Sequence, residues 1–302
     1  MILTDEHNLR TLGCYRDLLE GEQAHVWGEG VVVETPNLDR LAAEGALFSN
    51  FYTITPLCTP SRASFMTGLS PSKTGGSSIN HGRMDDNMIT FAEVLKEQRD
   101  YYTGYIGKWH LDGEDKPGWS DGSRNFGFMN TTIQYNRGHW KYFDMVDGNM
   151  AAYENNDEGL FDGREDKHFA TDYLFDRAIE FMDIAKSRND PFAYVLSIPD
   201  PHAPNVVRPP YEDMYKNMYF NIPRTGKMTA RKNPASPLWN FNDFSDVPLK
   251  DVNKYLRDFE SSKKYQRHLN QYFGMVKCID DNVGKLLDYL DKEGIDQETI
   301  VV

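Results

Sequence analysis

The fold class follows first from one apolar run of strand length, Phe192-Ala193-Tyr194-Val195-Leu196-Ser197-Ile198. Such a run is typical of a central parallel strand that is covered on both faces. A helical period of apolar residues over 171–187 precedes it, and helix and strand patterns alternate from end to end of the chain. This alternation predicts an α/β fold, with a largely parallel central sheet sandwiched by helices.

The other elements are predicted from helical periodicity, capping residues and chain breakers. Helices are expected over 36–44, 60–66, 90–99 and 269–293, and strands over 46–52 and 101–106. Thr35 is the expected N-cap of the first helix, and Thr90 and Glu93 form a capping box. Asp280 and Asp281 lie inside the last helix, on a face that we expect to be solvated.

One domain is predicted for residues 1–302, and we expect it to be truncated. The stretch 205–258 is rich in Pro, Tyr, Phe, Asn and charge, and its weak periodicity predicts a long surface excursion within that domain. Residues 1–3 resemble the end of a strand, and residues 299–302 resemble the beginning of another. The sheet is therefore expected to be incomplete at both ends; a short terminal edge strand is the alternative at the C-terminus.

Composition and charge exclude several classes of protein. The 302 residues carry 33 Lys and Arg against 46 Asp and Glu, a formal net charge of −13. This charge argues against a nucleic-acid partner, which needs a basic face, and against a polybasic membrane-surface protein. No apolar stretch approaches the length of a membrane span, no signal peptide is visible, and three cysteines are too few for a disulfide framework.

The strongest chemical signal surrounds Cys58. This residue lies two positions before Pro60, which is expected to open a helix, so its side chain faces free backbone N–H groups at the positive helix end. Arg62 lies one turn further on and can return its guanidinium group to the same place. The pattern predicts a site for an anion with a nucleophile beside it; a small buried cysteine in a loop is the alternative.

Other polar side chains follow the predicted strands. Asp5, Lys108 and His202 each come just after a strand, and ligands of α/β sheets bind beyond the carboxyl ends of the strands. We therefore expect these three residues to converge on one crevice. The loop with Arg137, His139 and Trp140 combines charge, imidazole and indole, a composition that suits a sugar ring stacked on the tryptophan.

Four motifs in order along the chain resemble the type I sulfatases of the alkaline-phosphatase-like superfamily. The motifs are Thr4-Asp5-Glu6, Cys58-Thr59-Pro60-Ser61-Arg62 with Thr67-Gly68, Gly104-Tyr105-Ile106-Gly107-Lys108-Trp109-His110, and Pro201-His202-Ala203-Pro204. The resemblance covers essentially the whole chain and implies a sulfuric ester hydrolase. In this family a maturation enzyme oxidises the matching cysteine, here Cys58, to formylglycine, whose hydrate carries two hydroxyl groups.

The resemblance also implies a role for each matching residue. One hydroxyl at position 58 would attack sulfur, and Asp5, Glu6 and position 58 would ligate Ca²⁺ or Mg²⁺. Glu6 stands where the family commonly has Asp. Arg62 would hold the hydrate, Lys108 would neutralise a sulfate oxygen, His110 would be the base that releases sulfate, and His202 would be the acid at the leaving oxygen.

The implied substrate is a sulfated carbohydrate, with Arg137, His139 and Trp140 as candidates for contacting the sugar. A phosphonate or phosphate ester hydrolase of the same superfamily and a catalytically silent fragment are the alternatives. The family's second pair of metal ligands, in a Ser/Thr-Asp-His-Gly-like element, is not found in the sequence. For a longer parent protein we expect a periplasmic or secreted location, and otherwise a cytoplasmic one.

Overall fold

The structure is a computed structural model that describes residues 1–147, 149–153, 168–224 and 252–302. Much of the excursion predicted over 205–258 lies outside the described residues, so this prediction stays open. The chain divides into two compact units. The first unit comprises Met1–His7, Phe48–Pro204 and Asp281–Val302, and the second comprises Asn8–Leu47 and Asn205–Asp280.

The described strands and helices have the following bounds. The strands are β1 (Ile2–Leu3), β2 (Tyr102–Lys108), β3 (Gln134–Tyr135), β4 (Tyr142–Val146), β5 (Asn149–Tyr153), β6 (His168–Phe169) and β7 (Phe192–Ser197). The helices are α1 (Gly13–Arg16), α2 (Pro36–Glu44), α3 (Cys58–Thr67), α4 (Phe91–Arg99), α5 (Ala170–Arg188), α6 (Tyr211–Met214), α7 (Val252–Glu260) and α8 (Lys263–Glu293).

The main sheet of the first unit is parallel, as the sequence predicts. Its strand order is β1-β7-β2-β3. β2 and β7 pair in register from Tyr102 opposite Phe192 to Gly107 opposite Ser197, and β1 pairs with β7 on the other side. The carboxyl ends of three neighbouring strands therefore lie side by side, which places the residues after them at one edge of the sheet.

Helices cover both faces of this sheet. On one face, Phe181 of α5 stacks on Tyr102 at 4.7 Å and contacts Tyr194 at 4.2 Å between ring centroids. Gly104 makes room for these rings, because a Cβ atom there would lie 2.5 Å from Phe181. On the opposite face, Tyr105 packs with buried residues of α3 and α4. Successive residues of a strand point to opposite faces, so both faces of β2 are buried.

Three local predictions were wrong. Residues 46–52 form no strand, and the side chains of Phe51 and Tyr52 are 78% and 82% exposed; strand propensity needs a paired neighbour before it produces a strand. Helix α3 begins at Cys58 rather than Pro60. Pro60 fits within the first turn, because the first N–H groups of a helix have no intrahelical partner and proline lacks only such a group. Residues 299–302 form no strand, although Ile2 N donates to Val302 O.

The second unit shows a helix cap that the sequence did not reveal. Thr35 makes no side-chain capping bond at the start of α2. Asp280 of α8 instead accepts hydrogen bonds from the backbone N–H groups of Asn37 and Leu38, at 3.0 and 2.9 Å. Asp280 is fully buried, so its predicted solvation was wrong.

An antiparallel sheet of three strands, β5-β4-β6, also belongs to the first unit and was not predicted. Among the residues described, no helix combines the length and the apolar character that crossing a bilayer requires.

Candidate active site

Asp5, Lys108 and His202 come together at the edge of the sheet where β1, β2 and β7 end, the place of the predicted crevice. Lys108 is the last residue of β2, and its Nζ lies 2.5 Å from Asp5 Oδ2. His202 joins them through His139, whose ring stacks on that of His202 at 3.5 Å between centroids and 5° between planes. His139 Nε2 in turn lies 2.6 Å from Lys108 Nζ. All of these residues belong to the first unit.

Asp5 is a nearly buried carboxylate held between two cations. Arg62 Nη2 lies 3.4 Å from the oxygen that Lys108 contacts. Burial favours the neutral acid, but the polar contact of His139 and the charges of Arg62 and Lys108 outweigh it and hold the pKa of Asp5 well below its usual range. Asp5 is therefore ionised at neutral pH.

Lys108 is fully buried. Its backbone carbonyl oxygen, like its ammonium group, has several polar partners. Its carbonyl oxygen accepts hydrogen bonds from Arg62 Nη1, Tyr105 Oη and Ser197 Oγ, at 2.7, 2.6 and 2.8 Å. Burial and the nearby Arg62 lower the pKa of the Lys108 ammonium group, although Asp5 acts in the opposite direction. Tyr105 and Ser197 were not singled out from the sequence, although both lie in predicted strands.

Arg62 reaches the crevice from α3 and is fixed by several acceptors. Besides Asp5 and Lys108 O, its Nη1 donates to Ser197 Oγ at 2.7 Å. Two buried cations, Lys108 and Arg62, thus share one carboxylate, which leaves an excess positive charge at the crevice. A charge in a poorly hydrated site attracts an anion much more strongly than the same charge in water.

Cys58 begins α3 at the edge of this charged cluster. Its Sγ lies 3.9 Å from Asp5 Oδ1. Burial raises the pKa of the Cys58 thiol, and the negative charge of Asp5 adds to this effect, while Lys108 and Arg62 oppose it. An unmodified Cys58 is therefore a protonated thiol at neutral pH and a weak nucleophile.

His110 lies just beyond β2 and is buried. Its Nε2 lies 2.8 Å from Nδ1 of His81, a residue that the sequence motifs do not include. Burial and the charges of Lys108 and Arg62 lower the pKa of His110 to about 2. The His110 imidazole is therefore neutral at neutral pH.

His139 and His202 differ in their polar partners. Burial lowers the pKa of His139 to about 3, with the Lys108 charge adding to this effect and the contact to Asp5 opposing it. His202 Nε2 lies 3.1 Å from a carboxylate oxygen of Glu6. Glu6 itself is largely exposed and has a left-handed backbone, with φ of 59°.

A buried ion pair supports the turns that carry these residues. Lys141 and Asp200 are both fully buried and form a salt bridge. Lys141 Nζ also donates to His202 O at 3.1 Å, and Asp200 O accepts from Asp5 N at 3.1 Å. Thr171 Oγ1 donates to Asp200 at 2.7 Å. The turns after β1 and β7 are thus tied to the segment that follows His139.

Arg137 and Trp140 are engaged within their own loop. Trp140 is buried, and its Nε1 donates to Arg137 O at 3.0 Å. The Arg137 guanidinium forms a salt bridge with Glu114. The burial of Trp140 does not fit an indole that stacks on a sugar, which the sequence had predicted.

The expected metal ligands do not form a metal site in this structure. In residues 1–147, 149–153, 168–224 and 252–302, no three His, Cys, Asp or Glu side chains converge on a point that could hold a metal ion. The Asp5 carboxylate contacts Lys108 and Arg62, and Glu6 contacts His202. A calcium ion takes six to eight oxygen ligands in proteins, so Asp5, Glu6 and Cys58 do not fit a divalent cation without further donors.

Comparison with known proteins agrees with this geometry. The sequence profile of the Sulfatase family matches residues 20–302. An N-acetylglucosamine-6-O-sulfatase of Bacteroides thetaiotaomicron is 26% identical, over all of this chain and 56% of that protein. An ulvan-active sulfatase of Formosa agariphila is 30% identical, over 89% of this chain and 45% of that protein. The chain thus spans about half the length of the curated relatives that it matches.

Solved structures show the same fold at lower identity. A protein in complex with its substrate D-glucosamine-2-N,6-O-disulfate superposes with a TM-score of 0.64 and 23% identity, covering 98% of this chain and 62% of that one. A phosphonate monoester hydrolase of Agrobacterium radiobacter superposes with a TM-score of 0.58 and 16% identity, over 98% and 59% of the two chains. With its parallel sheet and a profile match over nearly its whole length, the chain belongs to the sulfatase family.

Proposed function

We propose that this protein hydrolyses a sulfate monoester. The observation that carries the proposal is the pair of buried cations, Lys108 and Arg62, which share the single carboxylate of Asp5 beside the first residue of α3. A sulfate group is an anion with delocalised charge, and fixed cations in a poorly hydrated crevice stabilise charge that develops on its oxygens. Membership of the sulfatase family supports the same reaction.

Position 58 suits the family's modified residue. A formylglycine hydrate there would supply one hydroxyl as the nucleophile at sulfur and a second hydroxyl through which sulfate is released. The position fits this group, because it lies at a helix N-terminus and close to Asp5, within the field of Lys108 and Arg62. The raised pKa of the unmodified thiol gives a reason for the conversion, which a maturation enzyme of the host would carry out.

The chain's own residues would bind the ester and move protons. Lys108 would neutralise a sulfate oxygen, and Arg62 would hold the groups at position 58. By the family resemblance, His110 would be the base that releases sulfate, and its ring is neutral at neutral pH. His202 would donate a proton to the leaving oxygen from Nε2, the nitrogen that faces Glu6.

The cofactor and the location are proposed on family grounds. Ca²⁺ or Mg²⁺ is the proposed metal, with Asp5, Glu6 and position 58 as part of its ligand set and with further oxygen ligands from outside the described residues. A periplasmic or secreted location is proposed for the same reason. The proton transfers described above depend neither on the metal ion nor on the location of the protein.

The proposed substrate class is a sulfated carbohydrate. Two relatives support it: one is an N-acetylglucosamine-6-O-sulfatase and the other acts on ulvan. His139 is the candidate for contacting the sugar, because it is partly exposed and adjoins Lys108. Arg137 would contribute only if its salt bridge with Glu114 opened.

A phosphonate or phosphate ester hydrolase is the second candidate, favoured by the structural match to a phosphonate monoester hydrolase. Both reactions need an anion site, so the crevice geometry alone does not separate them. A catalytically silent chain that only binds anions or glycans is the third candidate.

One experiment separates the three candidates. The full-length protein is produced together with a formylglycine-generating enzyme, and its rates are measured on an aryl sulfate, an aryl phosphonate and N-acetylglucosamine-6-sulfate. Sulfate release that is lost in Cys58→Ala and kept in the control Cys14→Ala is expected. Equal activity of the Cys58→Ala variant would contradict the mechanism. Faster turnover of the phosphonate would favour the second candidate. Saccharide binding without turnover would favour the third.

A further inference from the structure

A cavity of about 590 Å³ lies in the second unit, between the segments 8–10, 22–28 and 221–224. This volume is within the range of cavities that bind small molecules in proteins. None of the described residues in its wall belongs to the four motifs. The proposed sulfatase site therefore does not account for the cavity.

Hydrogen bonds between these segments fix the wall of the cavity. Arg10 Nε and Nη2 donate to the backbone and side-chain oxygens of Gln23, at 3.1 and 2.9 Å. Asn221 N donates to Trp27 O at 2.8 Å. Gly28, with φ of 127°, leaves room for the Asn221 side chain, because a Cβ atom on Gly28 would lie 2.9 Å from its Nδ2. The wall is thus formed before any ligand binds.

Several hydrogen-bond donors in this wall find no acceptor within the part of the chain that the structure describes. They are Arg10 Nη1, Asn8 Nδ2 and Trp27 Nε1. Trp27 packs edge-on against Phe273, at 5.3 Å between ring centroids, and is only 7% exposed. Its Nε1 is nevertheless not enclosed by protein atoms. A ligand that satisfies these groups must bring acceptor oxygens.

The charges around the cavity favour an anion. Arg10 and Arg224 both line it, and Glu22 is the one carboxylate among the described residues of its wall. Glu22 lies 3.5 Å from Arg224 Nε, so these three side chains together carry one net positive charge. A guanidinium group binds the oxygens of sulfate and carboxylate groups through paired N–H donors.

We propose that this cavity is a binding site for a sulfated saccharide, with Arg10 and Arg224 on the sulfate group and with Asn8 and the Trp27 N–H on oxygens of the sugar. The choice of this ligand rests on the proposed function, whose substrate belongs to the same class of molecule. The cavity holds the saccharide and cleaves no bond in it. It is therefore a site in addition to the crevice that contains Lys108.

The first readout is the indole signal of Trp27, which does not depend on activity. Full-length protein with Cys58→Ala is labelled with ¹⁵N-tryptophan and titrated with N-acetylglucosamine-6-sulfate. The signal that is lost in Trp27→Phe identifies Trp27. We expect this signal to shift in a saturable way, and equally so when Lys108→Met removes a cation of the crevice. No shift, or a shift that Lys108→Met abolishes, overturns the proposal.

The second readout is the affinity of an arginine variant. Arg10→Met should weaken the binding seen at Trp27 by about 10- to 100-fold, the loss typical of a hydrogen bond to a charged group. Arg257→Met is the matched control, because Arg257 is exposed, belongs to the same unit and does not line the cavity. Wild-type affinity in a folded Arg10→Met variant overturns the proposal.

Two comparison ligands test the chemical class. Inorganic sulfate and unsulfated N-acetylglucosamine are each expected to bind more weakly than N-acetylglucosamine-6-sulfate. Inorganic sulfate that binds as tightly overturns the role of the sugar, and unsulfated sugar that binds as tightly overturns the role of the two arginines.

Turnover of a sulfate ester by the matured wild-type protein separates this inference from the proposed function. If the Trp27 signal shifts as expected but no sulfate ester is cleaved, the saccharide site stands and the proposed function is wrong. If sulfate is released but the Trp27 signal does not respond, the proposed function stands and the saccharide site is wrong.

Discussion

At the scale of single residues, the crevice depends on Asp5. Its carboxylate is shared by Lys108 and Arg62, so the three side chains together carry one net positive charge. Burial strengthens each of these interactions, because little water remains to screen them. The same three residues raise or lower the pKa values of their neighbours, which makes their contributions measurable.

Replacing Lys108 with methionine tests its proposed contact with sulfate. Lys108→Met should lower kcat for a sulfate ester by about 10²- to 10³-fold, the loss typical for a donor that stabilises charge in the transition state. The exposed Lys73→Met variant is the control and should keep the wild-type rate. Steady-state kinetics check the prediction, and a change confined to KM would contradict it.

The alkylation rate of unmodified Cys58 tests the balance of charges. Burial and Asp5 raise its pKa, while Lys108 and Arg62 lower it. Asp5→Asn removes the negative charge and leaves both cations, so the thiolate fraction at neutral pH should increase. Mass spectrometry of iodoacetamide-treated protein between pH 7 and 9 should show faster labelling of Cys58 in this variant. Cys14 of the same sample is the internal control, and equal rates at Cys58 would disprove the assignment.

At the scale of elements, the ends of helices and strands position the polar groups. Helix α3 presents Cys58 and Arg62 from its first turns, and β2 ends with Lys108, whose carbonyl oxygen binds Arg62. The parallel pairing of β1, β7 and β2 brings these ends to one edge. The position of the crevice is thus a consequence of sheet topology. Its positive charge comes from the side chains at the ends of the strands and of α3.

The buried cap of α2 predicts a loss of stability. Asp280 accepts hydrogen bonds from the N–H groups of Asn37 and Leu38, and removal of such a cap costs about 0.5–2 kcal/mol. Asp280→Ala should therefore lower the free energy of unfolding in urea by this amount. Asp280→Asn, which keeps one acceptor oxygen, should lose less. The exposed Asp17→Asn variant is the control, and equal effects of all three would argue against a capping role.

At the scale of the whole molecule, the net charge of −13 would oppose binding of the proposed anionic substrate. Attraction must therefore come from the local cations of the crevice rather than from the overall field. Several histidines with lowered pKa values add a second global property. Burial lowers the pKa values of His7 and His268 to about 4 each, that of His139 to about 3 and that of His110 to about 2.

These histidines predict a protein that is destabilised by mild acid. The pKa values of these histidines are lower in the folded than in the unfolded state. Their contribution to the free energy of unfolding is therefore fully present above the unfolded pKa, near 6.5, and is lost as the pH falls below it. Between pH 7 and pH 5, the free energy of unfolding should fall by about 2 kcal/mol less in His268→Gln than in the wild type. Urea titrations at both pH values check this, with the exposed His25→Gln as the control. An unchanged pH dependence in His268→Gln would count against the prediction.

Local patterns were sufficient for the main sheet and for most of its helices. The apolar run at 192–198 and the strand before Lys108 are recognisable without any partner, because both faces of each strand are buried and both faces are apolar. The helices predicted over 36–44 and 90–99 are equally evident from their capping residues and chain breakers. The segment 46–52 failed because its strand propensity has no paired neighbour among the described residues.

The sequence motifs identified the family, the residues that could carry charge chemistry and the strand ends from which they project. Tertiary structure was needed for every relationship between segments that are distant in the chain: the contact of His81 with His110, the cap that Asp280 gives to α2, and the burial of Trp140. A motif records which residue types are adjacent along the chain. Hydrogen bonds and burial depend on the neighbours that folding brings close in space.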